Sequence, residues 1–143
     1  MDGSRAAPLH ERLERLAEFL PIFEAPGFQF GEWGDITTSE PGVLQMPFYS
    51  LSDAGSSFCQ TAYDFGWVLA DFNWPVWNST PEAERLRDDH GALANATPDQ
   101  LAMLLTVILR QDRFCEGELA SCFASGLLTR IVRRAGVLRS ELP

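Results

Sequence analysis

At 143 residues and 45% hydrophobic content, the chain has the size and apolar fraction of a single globular domain, which buries roughly two-thirds of the surface its unfolded form exposes. Twenty acidic against eleven basic side chains leave a net charge of −9, which opposes nucleic-acid phosphates and the anionic face of a membrane and disfavours nucleic-acid binding by the molecule as a whole. Every fixed cation is an arginine, a planar donor fork suited to carboxylate and phosphate, and the second half of the chain, with nine acids and eight bases, must supply any basic patch.

Residues 1–7 are small and polar, the composition of a frayed end. Leu9, Leu13, Leu16, Ala17 and Leu20 then recur on one helical face, with Arg12, Glu14, Arg15 and Glu18 opposite and Pro8 tolerable in the first turn. Pro21 kinks or ends that helix, and Pro26-Gly27 turns the chain. Two stretches with strand character follow, FQFGEW and QMPFYSL, the second placed at an edge by Pro47. The segment between them carries turn chemistry at Pro41-Gly42, so the spacing predicts one antiparallel hairpin with a long loop.

Ser52 and Asp53 can cap a helix whose face is Phe58, Ala62, Phe65 and Leu69. DFNWPVWNSTP reads as an aromatic loop, after which Thr80-Pro81-Glu82 opens a charged helix towards Arg87 or His90. Thr97-Pro98-Asp99-Gln100 combines a cap, a first-turn proline and a reciprocal glutamine, and Leu101, Leu104, Leu105 and Ile108 make the stripe behind it. A terminal helix is expected from Gly117, with Leu119, Cys122, Phe123, Gly126, Leu127 and Ile131 on one face. Arg130, Arg133, Arg134 and Arg139 gather in its final turns, where cations complement the helix dipole. The fold expected over residues 1–143 is α+β, mainly α: about five helices packed with a small antiparallel two-stranded hairpin.

The densest charged stretch joins the last two expected helices. Arg110, Asp112, Arg113 and Glu116 either close the corner by ion pairing, with Phe114 and Cys115 as a plug, or present the arginines to a phosphate or carboxylate. Trp33, Trp67, Trp74 and Trp77, with Phe72 and Tyr49, either complete the core or leave Trp74 and Trp77 partly exposed for a protein or small-molecule partner. Glu24, Glu32, Asp35 and Glu40 form an acidic rim near the hairpin. His10 and His90 are the only histidines and no C-x-x-C pair occurs, so no metal is expected; with no Walker loop and no G-x-G-x-x-G, no cofactor is expected either. Cys59, Cys115 and Cys122 are an odd set in a chain with no apolar leader or bilayer-length run, which predicts a reduced cytoplasmic protein that does not enter the membrane.

LLTVILRQDRFCEGELASCFASGLLTRIVRR, with the upstream FLPIFEAPGFQFGEW and YDFGWVLADFNWPVW, resembles a family of small bacterial proteins catalogued only as a domain of unknown function. R-x-D-R-F-x-E-G followed by S-G-L-L is the distinctive run, and the likeness covers about Leu16 to Arg134. It implies a shared core of Arg110, Asp112, Arg113, Phe114, Glu116 and Gly117, and the family carries no assigned activity. Three functions fit these residues. The leading one is a non-enzymatic binding or interaction module working through Trp74 and Trp77 or the acidic rim, with a homodimer among its possible forms. The alternatives are a hydrolase or transferase that holds an anionic small molecule through Arg110 and Arg113, and a helix-turn-helix whose Arg130, Arg133 and Arg134 meet phosphates.

Overall fold

The computed structural model describes residues 7–33, 37–40, 43–45, 49–112 and 117–142, with 33, 37–40 and 43–45 described through their backbone only. Helix α1 (Leu9–Ala17) follows Pro8 and buries Leu13 and Leu16 completely, while Leu9, on the same expected face, stays 36% exposed at the open end. Pro21 lies in the first turn of a separate short helix, α2 (Leu20–Phe23), so it starts a new element. Gly27 takes the Pro26-Gly27 turn at φ +76°, a left-handed conformation that a side chain would disfavour.

Strand β1 (Gly31–Trp33) is followed by β2 (Thr37–Glu40), β3 (Val43–Gln45) and β4 (Tyr49–Leu51). β1 pairs antiparallel with β4, Gly31 opposite Leu51 and Trp33 opposite Tyr49, which is the expected hairpin in shortened form. Phe28 and Phe30, taken as the start of the first strand, precede it instead, because their rings are drawn into the core. The expected long loop holds a second antiparallel pair, β2 with β3, irregular between Thr38 and Glu40. The expected turn at Pro41-Gly42, Pro47 and the frayed residues 1–6 lie outside the described residues.

Helix α3 (Asp53–Asp64) begins where Ser52 Oγ accepts the Gly55 N–H at 3.1 Å. It stops short of Gly66 at φ +77°, so Leu69 is not on its face, contrary to the expected spacing; the Leu69 N–H instead donates to Thr106 Oγ1 at 2.9 Å. The expected aromatic loop is partly helical: α4 (Trp74–Asn78) is capped by Asn73 and carries Pro75 in its first turn. Helix α5 (Pro81–Asp88) starts at the Thr80 cap as the sequence predicts. Asp89 ends it and caps α6 (His90–Ala94), which periodicity missed because the helix is only five residues long. Helix α7 (Pro98–Gln111) has both bonds of the Thr97–Gln100 capping box, and its predicted stripe is at most 2% exposed. The single terminal helix is two, α8 (Glu118–Ala124) and α9 (Leu127–Ser140), divided at Gly126 with φ +88°.

Among the described residues there are thus eight helices of five residues or more and one single turn, where about five helices were expected. The fold is mainly helical with small antiparallel strand pairs, as its class predicts. Leucines of α1 and α7, the Phe58 and Ala62 face of α3, and Leu128, Ile131 and Val132 of α9 belong to one buried cluster. A phenylalanine knot extends it: the Phe23 ring lies 5.2–5.8 Å, centre to centre, from Phe19, Phe28, Phe30, Phe58 and Phe123. Arg12 clamps α1 to the chain after α3, its Nε donating to Phe65 O at 2.8 Å and its guanidinium lying 4.6 Å from the Trp67 ring centre.

Candidate functional site

Helix α9 packs on α1 and also on α6. Along α9, Arg130, Arg134 and Val137 follow one another at i, i+4 and i+7, with Arg133 beside them, and on α6, His90, Leu93 and Ala94 recur at i, i+3 and i+4. These residues line a groove of about 290 Å³. Leu93 is buried, whereas His90, Ala94 and Val137 are exposed.

The arginines differ in what already holds them. Arg133 pairs with Glu24 beyond the C-terminus of α2. Arg134 Nε donates to Ala96 O at 2.8 Å and braces the turn after α6; its terminal nitrogens make no hydrogen bond among the described residues. Arg130 Nε donates to Gly126 O at 3.3 Å, and Arg130 Nη1 is buried without a hydrogen-bond partner among the described residues. A buried charged donor left unmatched costs more than the roughly 1–3 kcal/mol of a neutral one, so an acceptor is called for there. The groove therefore joins guanidinium donors to an apolar wall in an otherwise acidic chain.

A family model described as a family of unknown function, DUF6508, matches residues 8–141. The chain belongs to DUF6508. Membership in a domain-of-unknown-function family is what the sequence resemblance implied, and the match runs a little beyond the stretch from Leu16 to Arg134. No curated protein and no solved structure matches this DUF6508 chain.

The structure brings only some of the sequence-nominated residues together. In the corner of the DUF6508 chain, Arg113, Phe114, Cys115 and Glu116 lie outside the described residues. Asp112 accepts the Leu119 N–H at 3.0 Å, anchors the first turn of α8 and pairs with no described arginine. Arg110 makes no ion pair among the described residues, and its Nε is buried without a partner there. Of the two placements open to the tryptophans, Trp77 takes the core one and is buried, with Nε1 donating to Glu82 Oε1 at 3.0 Å, while Trp74 is half-buried against the core. Val76 between them is 63% exposed.

Sequence reasoning missed the groove because α6 was not foreseen and the α9 arginines were assigned to the helix dipole or to nucleic-acid phosphates. The usable signals were the Asp89 cap, whose Oδ1 accepts from the Gly91 and Ala92 N–H groups, and the Arg130–Arg134–Val137 stripe. Among the described residues no three His, Cys, Asp or Glu side chains are placed to hold a metal ion, and no described helix is long and apolar enough to cross a membrane.

Burial pushes the Cys59 thiol up to about 12 from an ordinary 9.0, with the Asp112 carboxylate adding to it, and burial followed by Glu118 does the same for Cys122. The thiolate is the nucleophile, so neither thiol is poised for attack near neutrality. Alkylation with iodoacetamide at about pH 8, followed by peptide mass mapping, should modify both at least about a hundredfold more slowly in the folded chain than in urea. Because the folded values lie above the unfolded one, this contribution to stability is complete below pH 9.0 and is lost as the pH rises towards 12. Urea midpoints measured at about pH 8 and about pH 10.5 should fall less in Cys59→Ala and Cys122→Ala than in the parent.

Proposed function

We propose that this DUF6508 chain is a non-enzymatic binding module that holds a small anion in the groove between α6 and α9. The observation that carries this is Arg130 Nη1, buried and unmatched in a residue that lines the groove, beside Arg134, whose terminal nitrogens are uncommitted among the described residues. Hydrogen-bond donors on two adjacent turns of α9 can converge on one carboxylate or phosphate. The helix-turn-helix alternative draws less from α9, since Arg133, one of its three expected phosphate contacts, is already paired with Glu24.

Titration with acetate and with inorganic phosphate, followed by NMR or calorimetry, tests the proposal. Arg130→Gln should weaken both by about 10- to 100-fold, the worth of a hydrogen bond to a charged group. Unchanged binding in Arg130→Gln would reject the groove. A second reading, the hydrolase or transferase that grips its substrate through Arg110 and Arg113, is favoured by the unmatched Arg110 Nε. It predicts that the loss appears in Arg110→Gln instead.

A further inference from the structure

Resting on that anion-binding proposal, we infer that the groove's ligand is a short-chain monocarboxylate: one negative charge at Arg130 and Arg134, and a compact apolar tail along Ala94 and Val137. The charge count follows from the arginines' commitments. Arg133 is already neutralised by Glu24, leaving two guanidinium groups with free donors among the described residues, each spending its Nε on a backbone carbonyl. A net charge of −9 makes a second negative charge on the ligand costly. Two guanidinium groups spaced one turn apart on α9 can supply the donors that the two oxygens of a carboxylate accept.

The tail follows from the wall. Val137, one turn beyond Arg133 and Arg134, is 43% exposed, an apolar side chain left in the open beside cationic neighbours. Ala94 faces the same groove from α6, and Leu93 lies at its buried edge. At about 290 Å³ the groove is about twice the roughly 150 Å³ apolar cavity that accommodates benzene, so a ligand of about a dozen non-hydrogen atoms fits. A bare phosphate would leave the Val137 side unused.

The test is a homologous series of sodium carboxylates, acetate through octanoate, titrated against the full chain by NMR or calorimetry, with inorganic phosphate as the tail-less probe. Each added methylene should tighten binding by two- to about fourfold, the upper figure for complete burial, until the groove is full. Val137→Asn, at an exposed position that tolerates the change, should flatten that dependence on chain length. Carboxylates that bind through Arg130 with no dependence on chain length overturn the inference and leave the anion-binding module standing. Failure of every carboxylate and of phosphate to bind the parent chain overturns both.

Discussion

Phe58→Ala should lower the free energy of unfolding by about 3–5 kcal/mol, read from urea midpoints. The ring is fully buried and stands edge-on to Phe19 at 5.3 Å between centres, with Phe23 at 5.4 Å and Phe30 at 6.4 Å. These neighbours come from the chain around α2 and from the entry to β1, so truncation opens a space that three segments would have to collapse together to fill. Lost aromatic pairing adds about 0.5–1.5 kcal/mol per contact to the transfer and cavity costs, which places the change at the upper end for a core residue. Ser56→Ala on the exposed side of the same helix should stay within about 0.5 kcal/mol. A Phe58→Ala loss under about 1 kcal/mol would mean that the phenylalanine knot does not hold these segments together.

Gly55→Ala should also destabilise, by about 1–3 kcal/mol, although alanine is the better helix former by up to about 1 kcal/mol. A Cβ at Gly55 would stand 2.4 Å from the Phe30 carbonyl oxygen. That oxygen is pinned, accepting from both the N–H and the Oγ of Ser52 at 2.9 Å. Ser52 Oγ in turn caps α3 by accepting the Gly55 N–H, so relieving the clash moves the cap as well, itself worth about 1 kcal/mol. Crowding therefore outweighs propensity. A Gly55→Ala chain that unfolds at a higher urea concentration than the parent would show that the strand entry yields without cost.

The elements that were legible in the sequence are those whose ends carry their own chemistry. Ser52, Thr80 and Thr97 each announce a helix through a hydroxyl that accepts a backbone N–H three residues on, and all three start where expected. The α7 stripe was legible because fourteen residues give periodicity room to show. Breaks were harder. Gly66 and Gly126 end helices through left-handed backbone, which spacing alone does not distinguish from a glycine carried inside a helix. Helices of four or five residues, α2, α4 and α6, are too short for a face to repeat. The candidate groove suffered most, since one of its walls is α6 and the other depends on which arginines are already paired, a property of Glu24 and the Ala96 carbonyl far away in sequence.

The pairing of α1 with α9 sets the order in which this molecule can be completed on the ribosome. Leu13 and Leu16 leave the exit tunnel well before helix α9, which packs on α1 and bonds Arg139 to Glu14 at 3.3 Å. At 5–20 residues per second the interval is roughly 6–25 s, during which the side of the first helix that faces α9 is an apolar stripe open to chaperones. A nascent chain stopped before residue 127 lacks the part of that helix's cover which α9 supplies.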